Sequence, residues 1–336
     1  MEKPIEEQFI ESIPVERQAF FWVGLYYYLA KEAVKCPDGE SVLREAIRNY
    51  GLERAKRRRH IVVSKGLEPN LYNLFTNGDL NGDERFTAEK SQCILTEEFR
   101  KHIVTRCPDA EMWNELGDGE THLGRIYCEE VHHTLYGGFD PAVQVNLCET
   151  ITHGYPVCRF FIYMNRANCQ KREEEPYKIR AWEDTGTDGI KCNFTMFSLL
   201  YFHLASSIDK KLGRDTLKRG LNAFAERRGL RLRELDRRMG RQPGVENLIH
   251  FGDLFLDPRF QIKEEKIRDG LRIIVKRCVL AEVMESHKEE ELGTIYCSIL
   301  YHSLVKAYDA SIQVNVRSSI CNGDSGCVLD FVKKRV

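Results

Sequence analysis

The stretch Leu123–Ile162, LGRIYCEEVHHTLYGGFDPAVQVNLCETITHGYPVCRFFI, is present twice in this chain. Its second copy, Leu292–Phe331, reads LGTIYCSILYHSLVKAYDASIQVNVRSSICNGDSGCVLDF and aligns without a gap at a constant offset of 169 positions. Identical pairs include Tyr127/Tyr296, Cys128/Cys297, His133/His302, Asp140/Asp309, Asn146/Asn315, Gly154/Gly323 and Cys158/Cys327. A gap-free match of this length is the signature of a duplicated domain, too long to be a solenoid repeat.

Working outward, the likeness continues with small gaps. NLFTNGDL at Asn73–Leu80 matches NLIHFGDL at Asn247–Leu254, and VTRC at Val104–Cys107 matches VKRC at Val275–Cys278. The polar, turn-rich NCQKREEEPYKIRAWEDTGTDG, from Asn168, reads as a linker. The expected organisation is a first unit at 1–167, a linker at 168–192 and a second unit at 193–336.

Within a unit, FFWVGLYYYLAKEAV and FSLLYFHLASSIDKKL carry apolar residues at helical spacing. FQIKEEKIR, then Asp269-Gly270, then LRIIVKRC predicts a hairpin, and the first copy has the same hairpin with a longer loop at Thr96-Glu97-Glu98. A helix over Leu292–Tyr308 follows, with Leu292, Ile295, Tyr296 and Ile299 on one side. SIQVNVRSSI and GCVLDFV alternate with period two and predict a second hairpin. The fold class is therefore α+β. Each unit has helices covering a four-stranded antiparallel sheet of two hairpins, and the units are expected to be related by pseudo-two-fold symmetry.

Composition narrows the function. With 50 basic and 51 acidic residues among 336, the net charge of -1 offers no field for nucleic acid or an anionic membrane. Lys56-Arg57-Arg58-Arg59-His60 reads as the solvated face of a helix. The N-terminus MEKPIEEQFIES is not a secretory signal, and the longest apolar run, Phe20–Ala30, is shorter than the ~20 residues a membrane span needs. The expectation is a cytoplasmic protein whose 12 cysteines are free thiols and whose partner is a small-molecule substrate, with homodimerisation left open.

Polar residues unique to one copy are the better functional candidates, because shared ones also serve the fold. In the late helix Ser298, Ile299 and Tyr301 of copy two become Glu129, Glu130 and His132 of copy one. Glu130 replaces an isoleucine read as core-facing, so its carboxylate must be paired, protonated or turned to a polar cavity. On the last hairpin Arg317, Ser318 and Asn322 become Cys148, Glu149 and His153. Cysteine, histidine and carboxylate together supply a nucleophile, a base and a partner for a substrate cation. The candidates are Cys158 or Cys148 as nucleophile, His132 or His153 as acid and base, and Glu130 or Glu149 as the substrate's carboxylate. Glu129, Asn146 and Asp140 complete the substrate-binding set. Cys107, Cys128 and Cys158 recur in copy two and serve equally well as small core hydrophobes. His133 recurs as well and reads as structural. No cofactor is called for. A zinc site from Cys107, Cys128, Cys158 and His133 is the metal alternative, with non-standard spacing.

VTRCPDAEMW followed by the Leu123–Ile162 run resembles the L-2-amino-thiazoline-4-carboxylic acid hydrolase family. The matching features are Cys107-Pro108, Cys128 on a helix, Asp140 before a strand, and Thr150, Gly154, Cys158 and Phe160 on the closing hairpin. Tyr155 departs from the family's aspartate after the glycine, which copy two keeps as Asp324, while Val279 replaces the proline after Cys278. The resemblance implies a hydrolase for carbon–nitrogen bonds other than peptide bonds, opening a thiazoline ring that bears an amidine-like C=N. The unit also resembles the α+β ligand-binding fold of vinyl-reductase domains and TRAPP subunits. A non-catalytic ligand-binding or regulatory module is the alternative reading.

Overall fold

The structure, a computed structural model, describes residues 15–77, 87–117, 119, 122–166, 189–255 and 257–334. Contacts divide it into two bodies, one beginning at Pro37 and ending before Phe194, the other joining the residues up to Cys36 with those from Phe194 onward. The linker expected at 168–192 lies outside the described residues as far as 188, and Gly189 already begins a helix.

The Pro37 body runs through α2 (Gly39–Ser64) and α3 (Leu71–Thr76) to strands β1 (Thr87–Ala88), β2 (Ile94–Leu95) and β3 (Phe99–Arg106). Helices α4 (Pro108–Leu116) and α5 (Leu123–Phe139) and strands β4 (Val143–Glu149) and β5 (Cys158–Met164) complete it. The sheet is antiparallel in the order β1-β3-β5-β4, with the short β2 also on β3. Alternation along the strands turns Val104, Cys158, Phe160, Ile162, Met164 and Val143 toward α5, whose Leu135, Tyr136 and Phe139 close the core.

The other body contains α1 (Val15–Ala33), then α6 (Gly189–Leu212), α7 (Arg214–Arg238), α8 (Val245–His250), β6 (Ile262–Ile267) and β7 (Gly270–Val275). It ends in α9 (Val279–Ser286), α10 (Glu290–Tyr308), β8 (Ile312–Ser318) and β9 (Cys327–Lys333), with sheet order β6-β7-β9-β8. The two halves of the chain are thus homologous α+β units, each with an antiparallel sheet. Both carry a bulge at the same place, between Leu147 and Glu149 and between Val316 and Ser318. Repeat and packing part company at the N-terminus, where α1 groups with copy two. The helix is apolar nearly all round, burying Phe20, Phe21, Val23, Leu25, Tyr26, Tyr27, Leu29 and Ala30, so one flank of contact does not suffice it.

A shared glycine sets the helix spacing. A Cβ on Gly51 of α2 would lie 1.9 Å from Thr134 Oγ1 of α5, and one on Gly229 of α7 would lie 2.2 Å from the Leu304 carbonyl of α10. Side chains at these positions would force each pair of helices apart.

Three local expectations are corrected. The copy-two hairpin turns on Arg268-Asp269, with Asp269 at φ 66°, because Gly270 already pairs with Ile267. That glycine serves β9 instead, since a Cβ there would strike the Phe331 carbonyl at 1.9 Å. Ile299 is half-buried at the margin of α10, whose stripe runs through Leu292, Tyr296, Leu300, Leu304 and Tyr308. Lys56 is exposed, yet Arg57, Arg58 and Arg59 are only 2%, 0% and 6% exposed, so that run is not a solvated face. Arg58 donates to the Leu74 carbonyl and Arg59 to the Phe139 carbonyl and Asp140, which satisfies buried acceptors. Among the described residues no helix is long and apolar enough to cross a membrane.

Candidate functional site

Strand β3 brings two charged or titratable side chains into the core. Arg100, His102 and Val104 pair with Ile162, Phe160 and Cys158, so all three project toward the helices. The Arg100 guanidinium carbon lies 3.6 Å from the centre of the Phe75 ring. Phe75 is 5.3 Å from Tyr136, Tyr136 5.8 Å from His132, His132 5.0 Å from Phe160, and Phe160 6.4 Å from His102, ring to ring. Arg100 and His102 are next-but-one on their strand, about 7 Å apart. Six side chains therefore close a circuit inside the Pro37 body.

The strand registers and the 169-residue offset give the equivalent positions in copy two: Leu271, Ile273, Leu329, Tyr301, Val305 and Ile249. Leu271 and Ile273 are 2% and 1% exposed. Copy two fills this space with five aliphatic side chains and Tyr301, whereas copy one holds a guanidinium and two imidazoles there. Packing alone needs no such groups, because the second copy folds without them.

Both imidazoles are held neutral. Burial lowers the pKa of His132 to about 4, helped by His133 and Arg54, and His132 Nδ1 has no hydrogen-bond partner. Burial, then the Arg100 charge, also lowers His102 to about 4. His102 Nδ1 is 3.3 Å from the Sγ of half-buried Cys93, just before β2. A thiol beside a neutral imidazole nitrogen is the arrangement that lets a cysteine lose its proton.

A second polar group occupies the end of α5 and the turn after β4. His153 Nε2 is 2.9 Å from Glu129 Oε1, and His153 Nδ1 is 2.5 Å from Thr150 Oγ1. Thr150 Oγ1 lies 3.1 Å from Thr152 Oγ1, and Thr152 hydrogen-bonds the Cys128 thiol. A hydrogen-bonded run thus joins Glu129 to Cys128. Burial works to raise the Glu129 pKa, but hydrogen bonds from Arg125, Arg44 and His153 overcome it and bring it to about 2. With that carboxylate ionised, the fitting His153 tautomer donates from Nε2 and accepts from Thr150 at Nδ1. Copy two has Ser298 for Glu129, Cys321 for Thr152 and Asn322 for His153. There Cys321 bonds Cys297, and Thr294 donates to Asn322 Oδ1 at 2.7 Å.

The remaining candidates are dispersed. Glu130 answers the question its position raised by pairing, taking hydrogen bonds from Arg44 at 2.8 Å and Arg48 at 2.5 Å. Burial opposes its charge, and the bonds from Arg48 and Arg44 prevail and lower its pKa. Cys158 is buried, its Sγ accepts the Ile151 N–H at 3.2 Å, and burial raises its pKa. Cys327 repeats that contact with Ile320 at 3.3 Å, so both copies use this thiol to close the turn. Asn146 and exposed Cys148 lie on the outer sheet face, with Cys148 Sγ 3.6 Å from Asn146 Oδ1. Glu149 pairs with Arg159 across the strands at 2.5 Å. Asp140 ends α5, accepts the Ala142 N–H at 2.9 Å and pairs with Arg59 at 2.7 Å; Asp309 repeats the first contact with Ser311. Among the described residues, no three His, Cys, Asp or Glu side chains converge as metal ligands would.

The sequence reading brought His132, His153 and Glu129 to light, noted Thr150 only as a family match, and passed over Cys93, Arg100 and His102. Comparing the first hairpins of the two copies, as the last hairpins were compared, would have flagged Arg100 against Leu271 and His102 against Ile273.

Searches of curated proteins and of solved structures returned no match. The family model for L-2-amino-thiazoline-4-carboxylic acid hydrolase matches residues 14–162 and again residues 191–331. Two matches spanning most of the chain, on two homologous units, establish that it belongs to the L-2-amino-thiazoline-4-carboxylic acid hydrolase family and carries that family's domain in duplicate.

Proposed function

We propose that copy one hydrolyses the C=N-bearing carbon of a small cyclic amidine, such as an aminothiazoline carboxylic acid, in the interior between α5 and the sheet. The observation that supports this most is the circuit of Arg100, His102, Phe160, His132, Tyr136 and Phe75, set against its almost wholly apolar counterpart in copy two. Family membership supplies the reaction class.

In this reading Cys93 is the nucleophile and His102 Nδ1 takes its proton. Sγ adds to the amidine carbon, and the π electron pair moves onto nitrogen, which takes up the proton held by His102. Collapse of the adduct expels the ring heteroatom and opens the ring. Water then displaces the Cys93 sulfur, returning the proton to the thiol for a net gain of one water. A neutral His102 suits the first proton step near pH 7, since a histidinium could not serve as base. The Glu129–His153–Thr150–Thr152–Cys128 run provides a second proton path at the end of α5. Cys158 closes the turn that carries this run, and Glu130 holds Arg44 and Arg48 against α5. Copy two, without these groups, acts as a structural partner.

The test is incubation of the full chain with the aminothiazoline acid and a panel of cyclic amidines and ureas, followed by mass spectrometry. Gain of one water by a panel member, lost by about 10³-fold or more in Cys93→Ser, is the expected result. Full turnover in Cys93→Ser would refute the nucleophile. Binding of panel members with no turnover of any would favour the non-catalytic ligand-binding module.

A further inference from the structure

We infer that Arg100 recognises the carboxylate of the ligand, so that this interior takes small-ring monocarboxylates in preference to their neutral analogues. The inference rests on the proposed location of the site and adds to it the residue that selects for the ligand's carboxylate.

The argument begins with charge. Arg100 is half-buried on the core face of β3, beside Ile162 of β5. Its guanidinium carbon lies 3.6 Å from the centre of the Phe75 ring, and the group makes no hydrogen bond or ion pair with any described residue. The groups whose charges it feels are Tyr136, Cys93 and Arg58, and none of these is a carboxylate. Burial is the largest influence on it and opposes its charge, and no carboxylate is there to offset it. A cation–π contact returns far less than the desolvation of a guanidinium costs. Two other buried arginines are matched by carboxylates. Arg228 has Asp253 at 2.8 Å, and Arg59 has Asp140 at 2.7 Å.

The second argument is comparative. Copy two shows that leucine, as Leu271, fits the same strand position in the same fold. The arginine is thus dispensable for folding and requires another purpose. Five N–H donors in a planar fork match a carboxylate in two parallel bonds, whereas an ammonium would act only as a point charge. From Arg100, the next residue on that face is His102, which contacts Cys93. A ring whose carboxylate sits on Arg100 therefore presents its other side, about one strand repeat away, to the thiol–imidazole pair.

The experiment is calorimetric titration of the full chain with thiazole-4-carboxylate and with its neutral carboxamide, which need no turnover to be read. The wild type should bind the acid at least tenfold more tightly than the amide. Arg100→Leu, carrying copy two's residue, should lose that preference through weaker binding of the acid while its circular dichroism stays unchanged. Arg100→Lys should fall between. Equal affinity of the wild type for both ligands, or undiminished acid binding by Arg100→Leu, would overturn the inference, and so would failure of the wild type to bind either. Acid preference lost in Arg100→Leu, with no hydrolysis of any cyclic amidine, would leave the carboxylate site standing and remove the hydrolase reading. Hydrolysis with an unchanged KM in Arg100→Leu would do the reverse.

Discussion

Replacing His132 by phenylalanine should flatten the acid dependence of stability in the Pro37 body. The ring stacks on Tyr136 and meets Phe160 edge-on, and phenylalanine preserves both contacts without a titrating group. Burial, with His133 and Arg54, lowers the His132 pKa from the ordinary 6.5 to about 4. The sign follows from the direction of that shift. Because the folded form binds the proton less readily than the unfolded one, stability is whole above pH 6.5 and is lost as pH falls toward 4. At pH 5 the unfolded histidine is nearly all protonated and the folded one hardly at all, a difference of about 2 kcal/mol relative to pH 7. The loss approaches about 3 kcal/mol below pH 4. Carboxylates with lowered pKa, such as Glu129, lose their contribution at lower pH, through about 2. The window between pH 7 and 5 therefore isolates the imidazoles. Hydrogen exchange with mass spectrometry on peptides from β5 reads the opening energy of this body at the two pH values. The wild type should lose stability on acidification and His132→Phe should lose about 2 kcal/mol less. Equal losses in the two proteins would refute the claim that this imidazole is buried and neutral.

Further outcomes follow from the same contacts. Asp253→Asn strands the Arg228 charge, which is almost fully buried, and should cost about 3–5 kcal/mol in urea unfolding. Gly51→Ala should cost about 1–3 kcal/mol by driving α2 off Thr134, and a Thr134→Ala background should recover part of it. Glu129→Gln removes the charge beside His153 Nε2, and kcat on a confirmed substrate should fall by less than the ~10²–10⁴ associated with a general base. An unchanged rate would take the run from Glu129 to Cys128 out of the reaction path.

Much of the fold was legible because the chain contains its own alignment. A gap-free offset placed α10 over α5 and β8–β9 over β4–β5, and it paired Asp140 with Asp309, which make the same contact at their helix ends. Reading failed where a pattern was taken for a packing environment. Arg57, Arg58 and Arg59 looked solvated because consecutive charges usually are, yet carbonyls at the ends of α3 and α5 need interior donors. Ile299 was placed in the core one helical step too far round, so Glu130 looked more isolated than it is. The candidate site was legible only where the offset held. His132 emerged by comparison of the late helices, whereas the first hairpins, which align at an offset of 171 and set Arg100 against Leu271, were left uncompared. The pairing of β3 with β5, and of β7 with β9, gives the same register. Cys93 corresponds to Glu264 at that offset, and its approach to His102 depends on the turn that brings β2 back onto β3.

The central claim is that the polar interior of copy one carries the chemistry and its apolar counterpart in copy two does not. The most direct measurement is kcat/KM on the aminothiazoline acid for two reciprocal variants of the full chain. One, His102→Ile, gives copy one the residue of copy two, and the other, Ile273→Leu, alters the matching position in copy two without adding a reactive group. The account predicts loss of turnover by about 10²-fold or more in the first and wild-type turnover in the second. Wild-type turnover in His102→Ile, with the protein folded, would contradict it.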